Sequence, residues 1–91
     1  MIGGHKFALG RLVMTPGAQG RIPQEEMLAA IARHVSGDWG EVPSEDAALN
    51  DQAVQVGDRI LSAYVASDGA RFWIITEWDR SYTTVLLPEE Y

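Results

Sequence analysis

Cysteine is absent from this 91-residue chain, which excludes a disulfide framework, a thiolate nucleophile and a zinc–thiolate site and fits a reducing compartment. Histidine is almost absent: His5 and His34 are the two candidates for imidazole chemistry. No apolar run approaches the roughly 20 residues that span a bilayer. The start, Met1 to Lys6, is too polar for a secretory signal, so the sequence predicts a soluble, cytoplasmic protein. Nucleophile and phosphate motifs are missing too. The serines include no Gly-x-Ser-x-Gly elbow, and the Gly3-Gly4 and Gly17/Gly20 positions lack the lysine and the strand-to-helix context of a phosphate loop.

Positive charge is scarce. Seven Lys and Arg stand against 13 Asp and Glu, a net charge of −6. Lys6, Arg11, Arg21, Arg33, Arg59, Arg71 and Arg80 are spread along the chain rather than gathered, an arrangement that repels phosphate backbones and argues against direct nucleic-acid binding. An acidic domain can instead dock on a basic protein surface, including one that normally holds DNA or RNA.

What is present is an ordinary globular composition, 46% hydrophobic and 22% charged, for one domain over residues 1–91 with residues 1–5 as a flexible leader. Lys6 to Met14 predicts a strand, weakened at Gly10, and Thr15 to Gly20 a loop. Pro23, followed by Gln24, Glu25 and Glu26, opens a helix to Val35 with Met27, Leu28, Ile31 and Val35 at helical spacing, closed at Gly37. Trp39 sits in a short connection, where an indole plugs the edge of a core. Ser44 opens a second helix, sparse in apolar residues, to about Val56.

From Arg59 onward the pattern changes to three apolar strands, 60–65, 71–76 and 82–87, joined by turns at Ser67-Asp68-Gly69-Ala70 and Trp78-Asp79-Arg80-Ser81. The resulting expectation is an α+β fold: an antiparallel sheet in β-α-α-β-β-β order, with a C-terminal three-stranded meander and two helices on one face. A two-residue Asp68-Gly69 turn places Leu61, Ala63, Val65, Phe72, Ile74 and Thr76 beneath the helices. It leaves Ile60, Tyr64, Trp73 and Ile75 outside, with Tyr64 across from Trp73. An outer face of that kind marks a homodimer interface or a partner site, the rival reading being a curled sheet that covers it by itself.

For chemistry, His34, Asp38, Glu77 and Asp79 are candidates for an acid/base or metal cluster if the second turn folds over the helix end. Each also has a structural reading. His34 favours the helix dipole, and Asp38 bonds its own backbone. No catalytic residue, metal or cofactor is therefore assigned. The stronger candidates are protein-binding: Trp39, Tyr64, Trp73, Trp78, Asp79 and Arg80, with the last three forming a compact recognition unit on an exposed turn.

The runs Arg33 to Gly40 and Ile75 to Tyr91, together with Thr15-Pro16-Gly17-Ala18, carry a resemblance. Over about Lys6 to Tyr91 the chain resembles a family of short uncharacterised proteins borne on bacterial plasmids, integrated elements and phages. They are often labelled plasmid-related protein or type I restriction endonuclease subunit M. A modification subunit needs a methyl-donor fold with a Gly-rich loop and an aromatic catalytic motif, and this chain has neither. The resemblance implies a mobile-element setting, in which small acidic proteins act on host defence or DNA-handling complexes. The expected function is a non-enzymatic interaction protein that binds a larger protein assembly, with inhibition of a nucleic-acid-targeting defence system as its specific form. The alternatives are a small enzyme or restriction-modification accessory factor using the His34 cluster, and a homodimeric structural module.

Overall fold

The structure, a computed structural model, describes residues 4–91. The leader expected over residues 1–5 lies outside the described residues at 1–3, and Gly4 and His5 are exposed. Strand β1 (Arg11–Met14) is followed by helices α1 (Pro16–Arg21), α2 (Gln24–Val35) and α3 (Ser44–Val56). Strands β2 (Ile60–Val65), β3 (Arg71–Thr76) and β4 (Tyr82–Leu86) come next, then a 3-10 turn at Pro88–Glu90.

The fold is α+β, but the sheet is mixed. Its order is β1-β4-β3-β2, and β1 runs parallel to β4 with Leu12 beside Thr83 and Met14 beside Val85. The expected all-antiparallel sheet is corrected by the long helical connection, which carries the chain from one edge to the other before the meander returns to the start. Parallel neighbours require a crossover of that length.

Two local expectations change for identifiable reasons. The strand expected from Lys6 begins only at Arg11, because Gly10 takes φ 66 and the Lys6 amide donates to the Val35 carbonyl at 2.8 Å. The loop expected over 15–20 is helix α1. The Thr15 hydroxyl accepts from the Ala18 amide, and the distant Glu90 carboxylate accepts from Thr15 Oγ1 at 2.6 Å and from the Gly17 amide at 3.0 Å. A carboxylate at a helix start satisfies amides that have no partner within the helix. Helices α2 and α3 lie where the sequence places them. Asp38 N reaches Arg33 O at 2.9 Å around Gly37, the bond that closes such a helix end.

The β2–β3 loop settles which residues are inside. The Gly69 amide donates to Ala66 O at 2.9 Å and the Ala66 amide to Ala70 O at 2.7 Å, while Gly69 takes φ 91. The loop is therefore Ser67-Asp68-Gly69, a turn followed by a left-handed glycine, rather than the two-residue Asp68-Gly69 turn. One added loop residue slips the register by one and turns a strand over. Tyr64 pairs with Phe72 and Ala63 with Trp73. On β3, Phe72, Ile74 and Thr76 face the helices as expected. On β2, Ile60, Ser62 and Tyr64 do so, in place of Leu61, Ala63 and Val65. Tyr64 and Trp73 thus lie on opposite faces, and the expected pairing between them is overturned.

Beneath α2, the residues Met27, Ala30 and Ile31 pack with Tyr64, Phe72, Ile74 and Val85; beneath α3, the residues Trp39, Ala53 and Ile60 form a second cluster. Burying an aromatic side chain such as Phe72 contributes about 2–3 kcal/mol. The outer face carries Leu61, Ala63, Val65, Trp73, Ile75 and Leu86. The C-terminal turn folds onto part of it, setting Tyr91 edge-on to Trp73 at 5.6 Å between ring centroids, and Ile75 and Leu86 are buried.

Gly40 lies at φ 75, where a side chain would strike the Ala63 carbonyl and the Tyr64 ring. Gly40→Ala is expected to cost about 3 kcal/mol in urea unfolding, whereas Gly20→Ala, which meets open space, is expected to leave stability unchanged or raise it. Equal midpoints for the two variants would contradict the close approach.

Candidate functional site

The register that turns β2 over also places the Ser62 hydroxyl inside, beside those of Thr76 and Thr83. Ser62, Thr76 and Thr83 sit at inward positions and, with His34 of α2, are 0% exposed. His34 Nδ1 lies 2.6 Å from Ser62 Oγ and Nε2 lies 2.9 Å from Thr76 Oγ1. Thr76 Oγ1 lies 2.7 Å from Thr83 Oγ1, which donates to the Leu9 carbonyl at 2.7 Å.

That last carbonyl fixes the direction of the hydrogens from Thr83 back to His34 Nε2, and the neutral ring fixes the one at Nδ1. A carbonyl only accepts, so Thr83 donates to Leu9. Thr76 then donates to Thr83, His34 donates to Thr76 through Nε2–H, and Ser62 donates to Nδ1. The imidazole is neutral, with its proton on Nε2. Burial pushes its pKa down to about 4, and the nearby Arg80 charge adds to the shift. Phe7 meets the ring edge-on at 5.2 Å and Trp39 at 5.8 Å between centroids. A serine hydroxyl against a histidine nitrogen is the beginning of a nucleophile, but both groups are sealed from solvent and both imidazole nitrogens are occupied. The arrangement holds elements together and offers a substrate no path.

The other members of the expected acid/base cluster go elsewhere. Asp38 pairs with Arg33, whose Nε donates at 2.7 Å, and that bond holds its carboxyl below the usual range. Glu77 pairs with Arg59 at 3.6 Å. Asp79 Oδ1 accepts from the Ser81 hydroxyl at 2.6 Å and the Ser81 amide at 3.0 Å, and these bonds keep it ionised below its ordinary pKa. Neither imidazole nitrogen of His34 bonds to any of the three. Among the described residues no group of His, Asp and Glu side chains could hold a metal ion.

At the β3–β4 turn the candidate binding residues separate. Arg80 takes φ 60, unusual for a residue with a side chain, and turns its guanidinium inward. Nη1 donates to Asp58 O at 2.6 Å and Nη2 to Ala53 O at 2.8 Å, at the end of α3, whose last turn holds no basic residue of its own. A cation there complements the helix dipole. Its Cζ also sits 5.5 Å from the Phe7 ring centroid. Trp78, beside it, is 65% exposed, and Asp79 is exposed as well.

Trp39 is buried, as its role of core plug requires, and its indole donates to Asp51 at 3.0 Å. Tyr64 is buried, and its hydroxyl donates to the Asp38 carbonyl at 2.7 Å, with burial raising its pKa to about 12. Trp73 is half-buried on the outer face beside Tyr91. The accessible members of the expected set are therefore Trp73, Trp78 and Asp79. Tyr82 at 42% and Tyr91 at 67% exposure join them.

The sequence reading places Thr76 inside but marks neither the buried Ser62 and Thr83 nor the strand-capping Asn50. Polar residues at alternate positions of otherwise apolar strands were the available signal. Asn50 Nδ2 donates to Leu61 O at 2.8 Å and its Oδ1 accepts from the Leu61 amide at 3.3 Å, so one side-chain amide occupies a strand's place at the β2 edge.

The neutral, buried His34 predicts an acid-sensitive fold. Above the unfolded-state pKa of about 6.5 neither state carries the proton and the full stability is present. As pH falls from there toward 4 the unfolded chain gains a proton that the folded chain refuses, removing roughly 3 kcal/mol. The melting temperature should fall across that window, and His34→Gln should flatten the fall; an unchanged slope in the variant would remove His34 as its cause. Arg80→Ala should cost about 2 kcal/mol through the carbonyls it leaves unpaired, read by urea unfolding.

Comparison of the chain with protein-family models, with curated proteins and with solved structures gives no match.

Proposed function

We propose that the protein is a non-enzymatic, acidic interaction protein that binds a larger protein assembly. The observation that carries this reading is the outer sheet face, which the C-terminal turn covers only in part and which leaves Val65 at 44% and Tyr82 at 42% exposure, together with the exposed Trp78 at 65% and Tyr91 at 67%. Exposed aromatic side chains are the residue types that anchor protein contacts.

Charge supports the same reading and argues against direct binding of nucleic acid. Arg21, Arg33 and Arg59 are engaged with Asp68, Asp38 and Glu77, and Arg80 is spent on main-chain carbonyls. Acidic groups such as Glu25, Glu41, Glu45, Asp46 and Glu89 stand exposed. A partner with a basic surface fits that distribution. In its specific form the proposal takes the partner to be a nucleic-acid-binding defence complex of a bacterial host and the protein to be an inhibitor carried by a mobile element, acting in the cytoplasm. The resemblance to plasmid- and phage-borne proteins is the support for that form. No helix among the described residues is long and apolar enough to cross a membrane.

The test is capture of candidate defence complexes from a bacterial host by the tagged protein at low ionic strength, followed by a binding titration. Trp78→Ala is expected to weaken binding about 30-fold while leaving the melting temperature within a degree or two. Reversing Glu45 and Asp46 to lysine is expected to slow association and reduce its salt dependence. Wild-type affinity in all variants, or no retained complex at low salt, would sink the proposal.

A further inference from the structure

The two edges of the sheet are finished differently. At the β2 edge, the main-chain groups of Leu61 are taken by the Asn50 amide, and those of Ala63 by the Trp39 carbonyl at 3.1 Å and the Glu41 amide at 2.7 Å. A strand seeking that edge finds its hydrogen bonds already made. At the β1 edge, Arg11 and Thr15 donate to Ser81 and Val85 of the β4 side at 3.1 and 3.0 Å, so the alternating residues Leu12 and Met14 direct their main-chain groups outward. Among the described residues nothing pairs with those groups. Leu12 and Val13 are also 44% and 37% exposed, an apolar, unprotected edge of the kind that pairs with another strand.

We propose that β1 pairs antiparallel with β1 of a second copy of this chain, across a two-fold axis at Val13, giving one continuous sheet twice as wide. The occupant follows from self-complementarity. In that register Leu12 and Met14 of one copy exchange main-chain bonds with Met14 and Leu12 of the other, so every outward group finds a partner. Leu12 then packs against Met14 on the helix side. Val13 meets its own counterpart on the outer side, where a cleft of about 400 Å3 lined by Arg11, Val13, Ser81 and Tyr82 flanks it. Charge agrees as well. Arg11 falls opposite Thr15 of the other copy, whose hydroxyl is held 2.6 Å from the Glu90 carboxylate; the exposed cation of each copy faces the anion of its neighbour. A symmetric contact of this kind closes after two copies. So short a ladder makes a small interface, and the association is a reversible one. This holds whether or not the outer face binds another protein.

The absence of native cysteine makes the test direct. Antiparallel residues facing each other without exchanging hydrogen bonds have Cα atoms about 4.5 Å apart, inside the range a disulfide spans. Under mild oxidation Val13→Cys is expected to form a covalent dimer in high yield. Val65→Cys, more exposed than Val13 and on the outer face at the far edge, is expected to stay monomeric. Adding Leu12→Pro to Val13→Cys removes an outward N–H and no bond to β4, and is expected to reduce cross-linking at least tenfold. Adding Arg11→Glu in its place, which leaves the backbone untouched, serves if the proline variant does not fold. Sedimentation of the wild-type protein from about 1 to 300 µM should show a monomer giving way to a dimer. A monomer throughout, cross-linking through Val65→Cys, or cross-linking of Val13→Cys that survives the second substitution would each overturn the proposal. The first outcome would leave the edge to a different strand, and the second would point to a face-to-face dimer.

Discussion

The parity of the Ser67-Asp68-Gly69 loop is the constraint on which the rest of this structure depends. With three residues between Ala66 and Ala70, β2 presents Ile60, Ser62 and Tyr64 to the helices. That choice puts Ser62 within reach of His34, sets the Tyr64 hydroxyl against the Asp38 carbonyl, and leaves Leu61 and Ala63 with edge groups for Asn50 and the Trp39–Glu41 segment to satisfy. A loop one residue shorter would bring Leu61 and Ala63 under the helices and leave His34 Nδ1 without the Ser62 hydroxyl. A buried ring nitrogen left without a partner costs about 1–3 kcal/mol.

From this follows an interior that is more polar than a small domain usually tolerates, yet fully satisfied: among the described residues no buried side-chain nitrogen or oxygen lacks a partner. His34, Ser62, Thr76 and Thr83 link α2 to β2, β3, β4 and the segment at Leu9. Apolar packing is tolerant of small slips, whereas a directed chain of hydrogen bonds ending on a carbonyl has one arrangement. The network therefore selects a single packing of helix on sheet, at the cost of sensitivity to acid. The same core rules out the chemistry that a serine–histidine contact suggests, because nothing outside can reach it.

Much of this was legible in the amino-acid order. The helical spacing of Met27, Ile31 and Val35, the closing Gly37, the three apolar runs after Arg59 and the plugging role of Trp39 all follow from local chemistry, and the structure agrees with each. The features that escaped depend on distant partners. Nothing near Thr15 announces that Glu90 will cap α1, and nothing near Gly10 says that its backbone will lie against the main chain of Arg80 and Ser81, where a side chain has no room. The parallel pairing of β1 with β4 joins the two ends of the chain. The loop parity was a local question, but Asp-Gly serves a two-residue turn as readily as it ends a three-residue one, and β2 is apolar enough on both faces for either register. For the binding candidates the sequence supplied residue types without depth: Trp39 and Trp78 look alike in one dimension and differ completely in exposure.

Arg80 gives the exposed turn a property that its sequence conceals. A guanidinium anchored to the end of α3 through Asp58 and Ala53 fastens the tip of the β3–β4 hairpin to a helix, and the adjoining Asp79–Ser81 contacts stiffen what remains. Trp78 is thereby displayed from a braced support rather than from a waving loop. Most of the entropy that a mobile recognition loop surrenders on capture has already been given up here during folding, so a contact made through this indole would keep a larger share of its gross energy.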